Sequence, residues 1–189
     1  MLLVSYKTFL CIVNSSQNFL KIVDVSELIF PKVYSLDFVQ SIESSATSIT
    51  IPKLSCNDRH YTTFDFSRFT LLQSLEIGNF CFGFVKVFTI NKLRRLKTLK
   101  IGHNSFTETR NSNGDDESKS FHILNCDLLE SIEIGEYSFC DYAGDFELKN
   151  LPSLQSITIG KMDFPSNCFY FSSFVIRGIE RKWRMLLSL

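Results

Sequence analysis

The chain has 189 residues, and its 20 basic and 20 acidic side chains give a formal net charge of zero. Hydrophobic residues make up 44% of the chain and aromatic residues 14%, which is ample material for one core, so we expect one domain. Zero net charge disfavours a nucleic-acid partner, because phosphate binding needs clustered lysine and arginine. No stretch approaches the roughly 20 apolar residues of a membrane-spanning helix, so we expect no membrane span.

The N-terminal residues MLLVSYKTFLCIV are only weakly similar to a secretory signal sequence. Lys7 interrupts the apolar run, and no clear cleavage site follows. Ile12 and Leu20 already belong to a pattern that repeats through the rest of the chain. We therefore interpret this segment as part of the folded domain.

The strongest pattern is a pair of apolar residues separated by one residue, which recurs every 24 to 33 residues. Its six copies are Val23/Val25, Ile49/Ile51, Leu75/Ile77, Leu99/Ile101, Ile132/Ile134 and Ile157/Ile159. Alternation with period two predicts a β-strand whose apolar side chains point into a core. One such unit cannot bury its apolar side alone, so we expect the strands to stack in parallel.

Three further columns keep register with the pair. The first stands three residues before it: Leu20, Ala46, Leu72, Leu96, Leu129 and Leu154. The second stands five residues after it: Phe30, Cys56, Phe82, Phe106, Phe139 and Phe164. The third stands thirteen residues before the second member of the pair: Ile12, Phe38, Phe64, Phe88, Phe121 and Phe146. From Phe64 onward the third column reads F-x-[FIL], which predicts a second short strand in each unit.

These columns divide the domain, 1–189, into units near 12–37, 38–63, 64–87, 88–120, 121–145 and 146–173. Residues 107–120 are polar and contain Asn-Gly and an acidic run, so they are predicted to form an inserted surface loop. Residues 174–189 begin with FVI and form either an incomplete unit or a C-terminal cap. Ile179, Trp183 and Leu186 have the spacing of a short helix, whereas Met185 and Leu187 fall at strand positions.

The segment Leu93 to Phe106, LRRLKTLKIGHNSF, resembles the leucine-rich-repeat spacing L-x-x-L-x-x-L-x-L-x-x-N-x-L. Units ending in I-G-x-x-x-F are most similar to the divergent, Phe-rich repeats of protist and bacterial surface proteins. The resemblance implies an α/β-type repeat solenoid, predominantly β: a right-handed coil with a stacked parallel sheet and a second short strand per turn. The asparagine of the pattern is present only at Asn104, so we expect an apolar spine to replace an asparagine ladder.

In leucine-rich repeats, outward positions of the stacked strands line a concave face on which partners commonly bind. Here those positions are small and polar, and the candidate binding residues are Glu76, Lys100, Glu133, Thr158, Thr98 and Ser131. Lys100 would stand between Glu76 and Glu133 on neighbouring strands, so cross-strand pairing alone would also explain these three charges.

A glycine follows four of the predicted strands, at Gly78, Gly102, Gly135 and Gly160. Glycine is needed where the backbone turns with a positive φ angle, and this is the interpretation we favour. The alternative is that the glycines leave the surface bare, so that the backbone of a partner can approach closely.

Cysteine and histidine give no pattern typical of an enzyme. Cys56 and Cys126 occupy apolar positions of the repeat, where a free thiol acts as a small buried hydrophobe, and this favours a reducing, cytoplasmic setting. Cys56 and His60 form a lone C-x-x-x-H, without the second pair that a structural zinc site requires. We therefore expect no catalytic site, no metal and no cofactor.

The sequence favours a non-enzymatic protein-binding module that uses the concave face of the solenoid, with an unidentified protein partner. The alternative is a structural segment that stacks end to end, either with itself or with further repeats of a longer protein.

Overall fold

The computed structural model describes residues 11–14, 19–22, 42–108, 116–162, 167–179 and 184–187. These residues form two β-sheets, with strands numbered in chain order. The eight-stranded sheet contains β1 (Cys11–Asn14), β2 (Phe19–Ile22), β3 (Ser48–Ile51), β5 (Ser74–Ile77), β7 (Thr98–Ile101), β9 (Ser131–Ile134), β11 (Ser156–Ile159) and β13 (Arg184–Leu187). The five-stranded sheet contains β4 (Thr63–Asp65), β6 (Val87–Asn91), β8 (Ser120–Leu124), β10 (Asp145–Lys149) and β12 (Ser173–Arg177). No helix in this part of the chain is long and apolar enough to cross a membrane.

From β3 to β13 the chain alternates between the two sheets, and neighbouring strands of each sheet run parallel. In the eight-stranded sheet the first members of the apolar pairs face one another from Ile49 to Ile157. In the five-stranded sheet Phe88, Phe121 and Phe146 are aligned in the same way. The predicted parallel, predominantly β repeat solenoid and its second strand per turn are therefore confirmed.

The core between the sheets contains two columns of stacked phenyl rings. In one column the ring centroids of Phe106 lie 5.1 Å from Phe82 and 4.7 Å from Phe139. In the other, Phe121 lies 5.2 Å from Phe88 and 5.0 Å from Phe146. Such ring pairs contribute about 0.5–1.5 kcal/mol each beyond the burial of their area. The apolar spine expected at the asparagine position is absent there, because Leu54 and Phe80, which occupy that position in other units, are 46% and 43% exposed. The phenylalanine column two residues later fills the core instead.

The first turn departs from the prediction. Ile12 was expected in the second sheet, but β1 pairs antiparallel with β2 in the eight-stranded sheet. Leu20 stands opposite Ile49, in the place expected for Val23. A short apolar alternation does not specify strand direction or partner. For this reason the positions predicted for Ile12 and Leu20 were wrong. The remaining assignments of the first two units, except those from Ala46 onward, lie outside the described residues: Val23, Val25, Phe30 and Phe38.

The end of the chain also changes register. Phe169, not Phe164, continues the phenylalanine column, since its ring stacks 4.6 Å from that of Phe139; residues 163–166 lie outside the described part. β12 contains the predicted FVI and pairs with β10. Met185 of β13 stands opposite Ile157, so residues 184–187 extend the sheet, and the helical interpretation is wrong for Leu186. Trp183 is not among the described residues.

The polar insertion is more ordered at its C-terminal end than its composition indicates. Asp116 forms a parallel β-bridge with Tyr142 of the next turn, and its carbonyl accepts the N–H of Ala143 at 3.2 Å. Lys119 is buried, and its carbonyl accepts the N–H of Gly144 at 2.9 Å. Tertiary contacts therefore order residues 116–119, which composition alone assigned to a loop; residues 109–115 lie outside the described part.

Candidate functional site

The outward side of the eight-stranded sheet brings the candidate binding residues onto one face. Thr98 of β7 stands opposite Ser131 of β9. One position further along, a second row runs through Glu76, Lys100, Glu133 and Thr158 on consecutive strands. Each apolar neighbour of these residues is buried, so the alternation of each strand separates core from face. The six residues therefore share one outward face of the eight-stranded sheet.

The three charges on this face are not equivalent. Lys100 Nζ lies 3.8 Å from Glu133 Oε2, and both side chains are more than half exposed. An exposed pair of this kind contributes only about 0–1 kcal/mol. Within the described residues, Glu76 makes no ion pair. The predicted pairing of Lys100 with both glutamates is thus only half right, and Glu76 presents an uncompensated carboxylate.

The row beside the charges is made of short hydroxyl side chains. Thr98 Oγ1 donates a hydrogen bond to Ser74 Oγ at 3.1 Å. Serine also occupies this position in β3, β9 and β11. Because these side chains are short, the long side chains of the charged row stand above a low polar surface.

The four glycines beside the face are explained neither by a positive φ angle nor by a bare surface for a partner. None of the four has a positive φ, and the one described glycine that does is Gly178. A Cβ at Gly102 would lie 2.7 Å from the backbone N of Asn79, and one at Gly135 would lie 2.7 Å from the backbone N of His103. These positions exclude a side chain because the backbone of the preceding turn lies directly against them.

A ladder of serine and cysteine inside the coil was missed by the sequence analysis. Ser105 Oγ donates to the carbonyl of Gly78 at 2.9 Å and accepts the N–H of Cys81 at 3.2 Å. Ser138 Oγ repeats this arrangement one turn later, with the carbonyl of Gly102 at 2.8 Å and the N–H of Ser105 at 3.1 Å. The members of the ladder are Ser55, Cys81, Ser105, Ser138 and Cys168, all buried. The available signal was a serine or cysteine directly before each residue of the phenylalanine column.

Asn104 does not hold the turns together through its side chain. Its Oδ1 is buried and makes no hydrogen bond, while its backbone adopts a φ of 57°. Asparagine tolerates this left-handed conformation better than most residues. The same position is left-handed at Leu54, Phe80 and Tyr137, so the column is defined by backbone conformation and not by side-chain chemistry.

Asparagines do bridge the turns, but at the opposite corner of the coil. Asn125 Nδ2 donates to Asn91 Oδ1 at 2.9 Å, and Asn150 Nδ2 donates to Asn125 Oδ1 at 2.8 Å. These residues lie at or just after the ends of β6, β8 and β10. Sequence spacing gave no reason to group them, because Asn91 is one residue out of step with the other two.

The cysteines and histidines are kept apart. Cys56, Cys81 and Cys126 are free thiols and are buried, and burial raises the pKa of Cys56 to about 12 and of Cys126 to about 11. His60 is exposed and its Nδ1 lies 2.7 Å from Asp58 Oδ1, so Cys56 and His60 do not form a site. Among residues that the structure describes, no three His, Cys, Asp or Glu side chains are grouped to hold a metal ion.

The outer face of the five-stranded sheet has its own polar contact between strands. His122 Nδ1 lies 3.4 Å from Glu147 Oε2, and His122 Nε2 lies 2.9 Å from Ser120 Oγ. His122 points outward between the buried side chains of Phe121 and Ile123. This face therefore provides a natural control for any function of the eight-stranded sheet.

Comparisons with protein-family models, with curated proteins and with solved structures give no match to this chain.

Proposed function

We propose that the protein is a non-enzymatic binding module that takes a protein partner on the outward face of its eight-stranded sheet. The observation that carries the proposal is the alignment of Glu76, Lys100 and Glu133 on consecutive strands. Their side chains stand above a row of serine and threonine. Lys100 pairs with Glu133, and within the described residues Glu76 makes no ion pair. Such a face suits a partner that supplies a basic group to Glu76 and polar groups to the short hydroxyls.

The rigid support beneath this face favours binding without large rearrangement. Leu75, Leu99 and Ile132 lie directly under the face and are almost wholly buried. Within the eight-stranded sheet, every strand from β3 to β11 is hydrogen-bonded to both of its neighbours. Side chains on such a framework are positioned in advance, which reduces the entropy lost on binding.

We further propose that the chain is a member of the leucine-rich-repeat superfamily and that its coil is right-handed, with this face concave. One support is the L-x-x-L-x-x-L-x-L-x-x-N-x-L spacing of residues 93–106. Another is that β7, which lies within this segment, pairs in parallel with β5 and β9. A right-handed crossover between parallel strands is also the strong general preference.

Substitution of the three charged residues on the face tests the binding function. The variant carries Glu76→Ser, Lys100→Ser and Glu133→Ser, which are exposed strand positions. Partners would be captured on immobilised wild-type protein from an extract of the source cells and identified by quantitative mass spectrometry. For each purified partner we expect the dissociation constant to rise about tenfold or more, equivalent to about 1.4 kcal/mol.

A matched control removes the same number of acidic and basic groups from the other sheet. It carries Asp145→Ser, Glu147→Ser and Lys149→Ser on the outward side of β10. The control should bind as wild type does, and both variants should keep the wild-type unfolding midpoint. A partner that binds equally to wild type and to both variants would contradict the use of the eight-stranded face.

A second candidate function is lengthwise stacking of the solenoid. Phe174 is 38% exposed, whereas Phe88, Phe121 and Phe146, which precede it in the same column, are wholly buried. β12 is also an edge strand of the five-stranded sheet. Edge strands with apolar side chains readily pair with another chain, so a further turn or a second copy would complete this column.

Sedimentation velocity across a concentration series separates stacking from binding on the face. If stacking operates, wild type should associate as concentration rises, and Phe174→Ser should reduce that association. Leu128→Ser is the control, because Leu128 is equally exposed but lies in a turn away from the sheet edge. Monomeric wild type at all concentrations would reject self-stacking.

A further inference from the structure

A buried lysine and a buried aspartate meet where the polar insertion returns to the sheet. Lys119 directly precedes β8, and Asp141 lies in the turn before β10. Lys119 Nζ lies 2.5 Å from Asp141 Oδ2, and the two side chains are 2% and 6% exposed. Glu108, at the other end of the insertion, places Oε2 3.6 Å from the same nitrogen. Three chain segments therefore converge on one amine.

The hydrogen bonds of Asp141 are incomplete for a carboxylate. Oδ2 accepts from Lys119 Nζ and from the backbone N–H of Glu108 at 3.3 Å. Oδ1 is buried and has no hydrogen-bond partner. An unsatisfied oxygen of an ionised carboxylate carries a large desolvation cost, whereas a neutral amide oxygen in the same place carries a much smaller one. The site is thus better suited to an amide than to an ion.

One side of the pair borders the aromatic core. Tyr142, next to Asp141, is wholly buried, and its hydroxyl donates to the carbonyl of Val85 at 2.6 Å. Its ring packs 4.8 Å from that of Phe139. Burial, together with the negative charge of Asp141, raises the pKa of Tyr142 well above its ordinary value. In such a setting two full charges are costly to keep, even when they are paired.

We propose that Lys119 and Asp141 condense to form an intramolecular isopeptide bond, with Glu108 relaying the proton. A proton passes from the ammonium of Lys119 to Asp141 Oδ2, which gives a neutral amine and a neutral acid. The lone pair of Nζ then attacks Cγ and forms the N–C bond while the π electrons of Cγ=Oδ1 move onto Oδ1, and they return to re-form the carbonyl as the oxygen Oδ2 departs. Glu108 takes a proton from Nζ and delivers it to the departing oxygen, the Cγ–Oδ2 bond breaks, and one water leaves.

This reaction is balanced in charge and atoms and needs no other reagent. The ammonium and the carboxylate together are neutral, as are the amide and the water that replace them. Cγ is one C–O bond from Oδ2, so the attacking nitrogen is already close to the carbon that it must reach. Holding reactants at such distances replaces a large part of the entropy cost of an otherwise slow condensation.

The bond would fasten the insertion to the solenoid. It would close a loop between residues 22 apart in sequence and join the segments that enter β8 and β10, which are adjacent strands. A cross-link restricts the unfolded chain more than the folded one. The ordered end of the insertion, residues 116–119, would then stay attached during partial unfolding of the neighbouring turns.

Mass spectrometry of the whole denatured chain tests the proposal directly. Folded, purified wild type, incubated to completion, should have the mass of its sequence less one water molecule. Trypsin cleaves after lysine and arginine, so an uncondensed chain gives peptides 111–119 and 120–149. The condensed chain should give one peptide, 111–149, also lighter by one water and without fragment ions between residues 119 and 141.

Lys119→Arg is the matched control, because arginine keeps the positive charge and the trypsin site but does not form this amide under these conditions. Its mass should equal that of its sequence. Glu108→Gln should condense about a hundredfold more slowly or worse, the smallest effect usual for a lost proton-transfer group. Wild type with the full mass of its sequence would overturn the isopeptide bond, whether or not the variants fold. Glu108→Gln condensing at the wild-type rate would overturn the relay.

Discussion

The two corners of each turn connect the same sheets but are stabilised in different ways. The corner that follows the eight-stranded sheet contains the serine and cysteine ladder, and its hydroxyls bond to backbone groups inside the coil. The corner that follows the five-stranded sheet contains the asparagine ladder from Asn91 to Asn150 at the partly exposed surface. Both bridge successive turns with side-chain hydrogen bonds of similar length.

The comparison shows that burial, not bond length, sets the importance of an interturn hydrogen bond. At the first corner a lost hydroxyl leaves a carbonyl and an N–H unsatisfied away from water. At the second corner, water can replace a lost amide. The first corner also holds the phenylalanine column and the glycines that admit the neighbouring backbone, so it is the tightly packed side of the coil.

The largest expected effect comes from the phenyl column of the first corner. Phe106→Ala removes a ring stacked on both Phe82 and Phe139, and we expect a loss of about 3–5 kcal/mol from the free energy of unfolding. Leu128→Ala, at an exposed position of the second corner, should change it by less than about 0.5 kcal/mol. Urea unfolding followed by circular dichroism measures both. Equal losses would mean that the corners do not differ in packing.

A smaller effect separates the two ladders themselves. Ser105→Ala leaves the Gly78 carbonyl and the Cys81 N–H without their partner, so the free energy of unfolding should fall by about 1–3 kcal/mol. Asn91→Ala removes one partly exposed bond to Asn125 and should cost less than about 1 kcal/mol.

Ser105→Cys sharpens this test of the ladder, because cysteine occupies the same position at Cys81 and Cys168. It should recover part of the stability that alanine loses. If the cysteine and alanine variants were equally unstable in urea, the hydrogen bonds of the ladder would not be the source of the loss.

The smallest expected effect is the pH dependence of the stability that Asp116 contributes at the end of the insertion in the first corner. Hydrogen bonds from Ser118 hold the pKa of Asp116 below its ordinary value. Its contribution to stability is therefore complete above the unfolded pKa of about 3.9 and is lost as pH falls through the lower folded pKa. Asp116→Asn should unfold at a lower urea concentration near pH 7, and the difference from wild type should shrink as pH drops below 4. Asp145→Asn, at an exposed strand position, should show no such convergence.

The parallel solenoid was predictable because its repeats are regular from β3 to β11. Period-two alternation in pairs such as Leu99 and Ile101 determines which side chains are buried, and the recurrence of the pair in every unit aligns these side chains on neighbouring strands, even across the inserted loop. The position of Glu76, Lys100 and Glu133 on one face follows from the same alternation. The pairing of Lys100 with Glu133 alone did not follow, because long side chains reach either neighbour and local geometry selects one.

The first turn was harder to predict, since a lone alternating segment such as β1 fits either sheet and either direction. The position of Phe169 was missed for a different reason. An insertion of a few residues displaces a column in sequence while stacking restores it in space. Irregular spacing therefore marks the places where sequence reasoning loses the register.

By itself, the sequence of this protein determined a β-rich repeat solenoid with an apolar interior and a polar outward face, because burial follows a period that can be counted. Only the tertiary structure decided which groups meet between turns. Gly102 is required by the backbone of Asn79, and Ser105 by the carbonyl of Gly78. Lys119 is buried because Asp141 and Glu108 converge on its amine from separate segments. Such contacts join residues more than ten positions apart, and no local pattern records them.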